Sequence, residues 1–302
     1  MAGADPRHIL ITGGQGQLGL ELAALDWPAD VMLHAPDRAT LDLEVRDSVQ
    51  AVLDATPFAA VINAAAYTAV DKAESEVARA FGVNALGPAL LADITRERGV
   101  PLIHVSTDYV FDGSADRPYT VDDPVRPINV YGASKLAGEL AVLKGNPRSA
   151  VVRTAWVLSA RRQNFLLTML RLAATRPELG VVDDQWGCPT SAGDLAEALR
   201  TITLRMIDDP DAPTGLYHFV NAGETTWAGL ARHIFAESRK IGGPSAEVRS
   251  VTSAEYPTPA KRPGNSRLST ERIETDFGVR PAQWEDAVTK IIVDLRGKGF
   301  PQ

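Results

Sequence analysis

Residues 8–19 read His8-Ile-Leu-Ile-Thr-Gly-Gly-Gln-Gly-Gln-Leu-Gly19, and this stretch decides the fold. His8 to Thr12 is a short apolar run that stops at Gly13 and Gly14. Beyond the glycines, Leu18, Leu20, Leu22, Ala23 and Leu25 recur at roughly helical spacing. The order is strand, tight turn, helix. Gly13, Gly16 and Gly19 form G-x-x-G-x-x-G inside that turn. Without side chains they permit a tight bend and a close approach of backbone to a pyrophosphate. The helix that starts there points its N–H groups and the positive end of its dipole at the anion. A dinucleotide cofactor is the expected occupant.

The same alternation continues outward. Val31-Met32-Leu33, Ala60 to Asn63, Pro101 to Val105 and Ala150 to Arg153 read as strands. Asp47 to Ala55, residues 73–98 and Tyr131 to Leu143 read as helices. Short continuous apolar strands between helices indicate a parallel sheet covered on both faces. The fold class is therefore α/β, a Rossmann-type doubly wound parallel sheet with a smaller C-terminal α/β substrate domain. Residues 1–158 form the dinucleotide-binding unit, with returning segments expected from about 184–203 and 222–238. Residues 159–302 form mainly the substrate-binding region. Within it, Phe165 to Ala174, Asp194 to Arg205 and Trp227 to Arg239 read as helices, and Leu216 to Val220 as a strand. The loop from Tyr256 to Pro263 is too rich in proline for a helix or an inner strand.

Composition narrows the function classes. The chain has 302 residues, 45% hydrophobic and 23% charged, with a formal net charge of -7. That length supports a large core without staples. The acidic balance argues against nucleic acid or an anionic membrane as the main partner, so an anionic small molecule would need local cations. Cys188 is the single cysteine, which rules out an internal disulfide and fits a reducing compartment, the cytoplasm. The N-terminus lacks a signal-peptide core, and no stretch reads as roughly 18 apolar residues of a membrane span. The five histidines show no ligand spacing, so no catalytic metal is expected. Cys188, with no histidine partner nearby in sequence, reads as packed rather than nucleophilic.

Chemistry enters with Tyr131-Gly-Ala-Ser-Lys135. On a helix, positions i and i+4 share a face. A lysine there can hold a cofactor ribose and bring positive charge toward the phenol, which favours the phenolate. A tyrosine so placed can exchange a proton with a carbonyl or alcohol oxygen. Upstream, Thr107 closes the strand from Leu102 and offers a hydroxyl to the same oxygen. The tip of the second strand carries both Asp37 and Arg38. An acid suits the free ribose of NAD and an arginine the phosphate of NADP, so NADPH and NADH both stay open. Asp42 and Leu43 can flank the adenine, and Asn63-Ala64-Ala65-Ala66 ends its strand with small side chains that leave room for a cofactor.

Several longer stretches carry a resemblance: Asn63 to Glu76, Ser106-Thr-Asp-Tyr-Val-Phe-Asp-Gly113, Asn129 to Glu139, Arg153-Thr-Ala-Trp-Val157, Asp184-Gln-Trp-Gly-Cys-Pro-Thr190, and Tyr256 to Leu268. Here the chain resembles the extended short-chain dehydrogenase/reductases, and among them the dTDP-4-dehydrorhamnose reductase family. The resemblance implies reduction of the C4 ketone of dTDP-4-dehydro-L-rhamnose by a nicotinamide cofactor, giving dTDP-L-rhamnose. It implies Tyr131 as proton donor, Lys135 on the nicotinamide ribose and Thr107 on the reacting oxygen. Asp108 and Trp156 would contact the sugar. Gly16, Gln17, Leu18, Asp42, Leu43, Ala66, Tyr67 and Thr68 would line the cofactor, with Ala64, Ala65 and Val105 beside them. For the diphosphate, Arg262 and Arg267 are candidates because guanidinium suits phosphate geometry, with Asn265 as a polar partner.

One departure concerns the metal. Relatives of this kind that dimerise through Mg²⁺ present acids between subunits. Here Glu21 would serve, but the matching later position is Gly193, beside Asp194, so a bridging Mg²⁺ is not expected and a homodimer stays open. Two other readings compete. A 4,6-dehydratase of this superfamily follows its threonine with an Asp-Glu pair, whereas Thr107-Asp108 is followed by Tyr109, which favours simple reduction over a dehydratase; an epimerase would keep its cofactor through purification. A non-catalytic regulatory subunit, like the methionine adenosyltransferase beta subunit, need not retain Tyr131, Lys135 and Thr107, and all three are present.

Overall fold

The computed structural model describes residues 5–300; the first four residues of the N-terminal segment read above lie outside them. In chain order the main elements are β1 (Arg7–Thr12), α1 (Gln17–Ala24), β2 (Val31–His34), α2 (Arg46–Ala55) and β3 (Phe58–Asn63). A long helix α3 (Val77–Glu97) follows, then β4 (Leu102–Thr107), α4 (Val130–Gly145) and β5 (Ser149–Thr154). The remainder comprises α5 (Phe165–Ala173), β6 (Glu178–Val182), α6 (Ala192–Asp208), β7 (Gly215–His218), α7 (Trp227–Lys240), β8 (Glu247–Val251), α8 (Glu271–Phe277) and α9 (Trp284–Lys298).

Six strands pair in parallel in the order β7-β5-β4-β3-β1-β2. The chain reverses direction across the sheet between β1 and β3, and ligands of such sheets bind beyond the carboxyl ends at that point. Alternation within the strands separates two cores. Ile9, Ile11, Ile62 and Val152 face α1 and α6, where Leu22, Leu195, Leu199 and Ile202 cover them. Leu10, Val61, Leu102 and Val151 face the other way, against Val49, Leu53, Leu91, Ile94 and Val142. Both faces are dry, which is why these strands are apolar without a break.

Helix α3 contains a wide π-helical turn, Gly82–Leu86. By length and composition alone its 21 residues pass for a membrane span, which the sequence reading had not found, and 44% of its apolar window is buried in this fold. Its Leu91 and Ile94 belong to the core beneath the sheet, and α4 packs along it at Gly138.

A second unit has its own core. Leu166 and Leu170 of α5, Leu179 and Val181 of β6, Ile234 and Phe235 of α7, and Val288 and Ile292 of α9 form one cluster. Strands β6 and β8 pair in parallel beneath these helices. Helix α6 lies on the large sheet. Helix α7 does not, although 222–238 was expected there. Its apolar stripe, Ala228, Ala231, Ile234 and Phe235, faces the second cluster, where α5 and α9 supply partners that the sheet face, already covered by α1 and α6, cannot.

Candidate active site

A cavity of about 800 Å³ lies at the carboxyl ends of β1, β3, β4 and β5 and reaches the second unit. At one end is the glycine turn. Gly13 has φ 70°, and a Cβ there would stand 2.7 Å from the Ala65 nitrogen. Only glycine allows β1 and β3 to end this close. Gly19 lies behind the turn, packed on the Gly13 carbonyl, and does not line the cavity. Helix α1 begins at Gln17 with no side-chain cap, so its first N–H groups are free for an anion.

Most of the expected residues meet around this cavity. Gly13, Gly16, Gln17, Leu18, Asp42 and Leu43 line one end, Ala64, Ala65, Ala66, Thr68 and Val105 the floor, and Thr107, Asp108, Tyr131, Lys135 and Trp156 the other end. Asp37 and Arg38 both reach it. Arg38 is paired with Asp42 at 3.4 Å and with Glu44 at 2.5 Å, so its cation is shared before any ligand arrives.

Helix α4 starts at Asn129, whose Oδ1 accepts from the Gly132 nitrogen at 2.8 Å. That cap sets Tyr131 in the first turn and Lys135 in the next. Lys135 is fully buried, and its Nζ donates to the Val105 carbonyl at 2.7 Å. Burial brings its ammonium down to about 8, with Glu139 pulling the other way. Burial pushes the Tyr131 phenol above its ordinary value, an effect reinforced by Asp108 and Tyr109 and opposed by a hydrogen bond with Thr107. The phenol is therefore held in its neutral form. Asp108 is buried, its Oδ1 accepts from Thr107 Oγ1 at 2.9 Å, and its Oδ2 has no partner. Desolvation raises this carboxyl to about 6, against hydrogen bonds from the Ser266 and Thr107 side chains and from backbone N–H groups.

Beneath the site, Arg153 forms a buried pair with Glu139, Nε to Oε1 at 2.8 Å and Nη2 to Oε2 at 2.7 Å. The Asn63 side chain accepts from Thr12 Oγ1 at 2.6 Å and meets His104 Nδ1 at 2.9 Å, which ties β1, β3 and β4 together under the cavity floor.

Besides Gly19, four expected residues stand elsewhere. Tyr67 does not line the cavity; its hydroxyl donates to Glu76 at 2.9 Å. Asn265 donates to the carbonyls of Ala115 and Arg117, both at 2.8 Å. Arg267 is held by Glu224 at 3.0 Å and by the Asp116 carbonyl at 2.7 Å. Their polar groups are already satisfied within the protein, so Asn265 and Arg267 brace the 256–268 loop and neither reaches the cavity. Arg262 is one step removed, bonded to the Tyr109 hydroxyl at 3.3 Å and to Asp71 at 2.8 Å.

The sequence reading missed a group from the second unit. Arg162, Gln163, Asn164, Phe165 and Trp227 line the cavity. Arg162 adopts φ 58° and donates to the Gln15 carbonyl at 2.8 Å, while Asn164 Nδ2 donates to Gln17 Oε1 at 2.9 Å. Trp227 stacks on Trp156 with centroids 3.6 Å apart and planes 12° from parallel. Only the aromatic beginning of the Trp227 helix hinted at this in the sequence. Glu21 is paired with Arg161 at 3.2 Å, and Asp194 accepts from Asn221 at 2.6 Å. Among the described residues there is no cluster of three His, Cys, Asp or Glu side chains suited to a metal.

A doubly wound parallel sheet, a glycine turn before α1 and a Tyr-x-x-x-Lys pair facing one cavity define the extended short-chain dehydrogenase/reductase class. The chain belongs to the RmlD substrate binding domain family, whose sequence profile matches residues 7–296. It is 46% identical over 294 residues to a dTDP-4-dehydrorhamnose reductase of Sinorhizobium fredii, covering 97% of this chain and 99% of that protein. Its structure is similar to a dTDP-4-dehydrorhamnose reductase from Clostridium acetobutylicum, with TM-score 0.89 and 37% identity, covering 96% of this chain and 99% of that one. A dTDP-4-dehydrorhamnose reductase from Bacillus anthracis, solved in complex with NADP, gives TM-score 0.89 at 32% identity with the same coverage.

Proposed function

We propose that this protein is a cytoplasmic NADPH-dependent reductase of dTDP-4-dehydro-L-rhamnose that produces dTDP-L-rhamnose. One observation carries the reading: the Tyr131 phenol shares a single cavity with an uncapped helix start at a glycine turn and with a buried lysine one helical turn along. The cavity fits a dinucleotide, because a Cβ at Gly13 would fill the place where the turn meets Ala65, and the free N–H groups of α1 await an anion. When bound, the nicotinamide supplies the hydride.

The protein's own groups do the rest. Tyr131 gives its proton to the C4 oxygen as negative charge develops there. Thr107 turns its single hydroxyl proton from Asp108 Oδ1 to the same oxygen and sets its angle. Lys135, held by the Val105 carbonyl, places an ammonium beside the phenolate that remains and binds the ribose. Asp108 offers its free Oδ2 to a sugar hydroxyl, and the indole of Trp156 covers a sugar face. Gly16, Gln17 and Leu18 hold the pyrophosphate, while Asp42, Leu43, Ala66 and Thr68 bound the adenosine half. The reading is supported by Tyr109 standing where a dehydratase needs a second carboxylate, since burial, reinforced by Asp108, holds its phenol up at about 12 and it is no base at neutral pH.

The test is loss of NADPH absorbance with dTDP-4-dehydro-L-rhamnose generated in place, followed by identification of the sugar. Tyr131→Phe is expected to lower kcat by roughly 10²–10⁴-fold with NADPH affinity unchanged. A variant that keeps more than about a tenth of the wild-type rate removes Tyr131 as proton donor.

A further inference from the structure

The loop 256–268 does more than brace the fold. Arg262 donates from Nη2 to Asp71 Oδ2 at 2.8 Å and from Nη1 to the Tyr109 hydroxyl at 3.3 Å. Asp71 also accepts from the Ala260 nitrogen at 3.2 Å, and Asn129, the cap of the Tyr131 helix, donates to the Lys261 carbonyl at 2.9 Å. The loop is thus pinned at the two residues just before Arg262, one pin leading to the helix that carries Tyr131. Tyr109 lines the cavity, and its ring stands edge-on to Tyr131 with centroids 5.5 Å apart and planes at 77°.

Arg262 is a donor only, so the Tyr109 oxygen must accept from it. The phenol proton is then directed away from Arg262, and no acceptor for it is present among the described residues. A phenol whose oxygen faces a guanidinium is a stronger donor than a free one. The guanidinium is itself balanced by Asp71, so the assembly presents a directed neutral donor rather than a cation. That suits a sugar hydroxyl or ring oxygen better than a phosphate.

We propose that Tyr109 is a substrate-binding residue that donates a hydrogen bond to the hexose of the sugar nucleotide beside the reacting carbon, and that Arg262 and Asp71 are positioning residues that aim it. This rests on the reading of the cavity as a nucleoside-diphosphate-sugar site and names one more group that recognises the sugar. It also gives the proline-rich loop a role at a site that its own side chains do not line.

The experiment is a pair of binding titrations on the NADP⁺-loaded protein, one with dTDP and one with dTDP-L-rhamnose. For Tyr109→Phe, the Kd for dTDP-L-rhamnose is expected to rise about tenfold, the effect of one lost hydrogen bond, while the Kd for dTDP stays within twofold. Arg262→Ala and Asp71→Asn are expected to move the same ratio in the same direction, and Arg262→Lys to restore part of it. A structural role alone would weaken both ligands together or lower thermal stability without changing their ratio. An unchanged ratio in Tyr109→Phe, or an equal loss for dTDP and dTDP-L-rhamnose, overturns the proposal. Failure of the wild type to consume NADPH with the keto sugar while still binding dTDP-L-rhamnose overturns the catalytic reading alone. Wild-type protein that binds neither ligand overturns both.

Discussion

At the scale of single residues, the site holds groups that are poor for stability and suited to chemistry. Asp108 is the clearest case. It is 3% exposed, one oxygen is unpartnered, and burial raises its carboxyl to about 6. The folded chain therefore binds a proton more readily than the unfolded chain, whose aspartate titrates near 3.9. The stability associated with that proton is complete below about pH 4 and is lost as pH rises through about 6. At pH 7 the ionised form is a liability. Asp108→Asn is expected to stabilise the protein by about 1–2 kcal/mol at pH 7 and by almost nothing at pH 4, read as melting temperature against pH. The same variant is expected to lose catalytic efficiency with the sugar nucleotide. If it melts no higher than wild type at pH 7, the free carboxylate is not under strain.

At the scale of elements, helix α4 is the part that must not move, because its first two turns carry Tyr131 and Lys135. Two features fix it. Gly138 lets the helix approach the π-helical turn of α3 so closely that a Cβ would stand 2.1 Å from the Asn84 carbonyl. Glu139 locks it to β5 through Arg153, with both side chains 3% exposed or less. Removing one partner of a buried pair leaves the other charge uncompensated. Glu139→Gln is expected to cost about 3–5 kcal/mol in chemical denaturation. A cost below about 1 kcal/mol would place the pair among interactions that contribute little.

The same elements explain what was legible beforehand. Strands β1, β3, β4 and β5 were readable because burial on both faces forces an unbroken apolar run, as in Ile9-Leu10-Ile11. Glycines and the Tyr-x-x-x-Lys spacing were readable because their roles are local. The strands β6 and β8 were not: Glu178-Leu-Gly-Val-Val182 and Glu247-Val-Arg-Ser-Val251 form a two-stranded sheet with one face exposed, and each holds too few apolar residues to stand out. Helix α9 was not read either, although Trp284, Val288, Ile291, Ile292 and Leu295 form an apolar stripe; its core partners lie far off in sequence. Arg262, Asn265 and Arg267 show the limit for polar and charged residues. Their type suits a diphosphate, but type does not reveal that Asp71 and Glu224 and the carbonyls of residues 115–117 already hold them.

At the scale of the whole molecule, the two cores meet at the cavity. Trp156 follows β5 of the large sheet and adopts φ 48°, a backbone region that side chains other than glycine seldom occupy. Trp227 opens α7 of the second unit and covers the Trp156 indole from behind, and Gln185 accepts from its Nε1 at 3.2 Å. The glycine turn belongs to the first unit, so cofactor and sugar engage the molecule differently. On the proposed function the cofactor engages mainly the glycine turn, and the sugar nucleotide the Trp156–Trp227 pair that the two units share. A ligand at about a hundred times its Kd adds about 2.7 kcal/mol to stability. The wild type is therefore expected to melt higher with NADP⁺, and higher again when dTDP-L-rhamnose is added. Trp227→Ala frees Trp156 to leave its strained pose, and the sugar loses the rigid face against which it packs. In that variant the increment from NADP⁺ should persist, while the increment from dTDP-L-rhamnose should fall by about 1.4 kcal/mol, a tenfold loss of affinity. If both increments survive, the indole pair is a packing contact between units and the sugar does not depend on it.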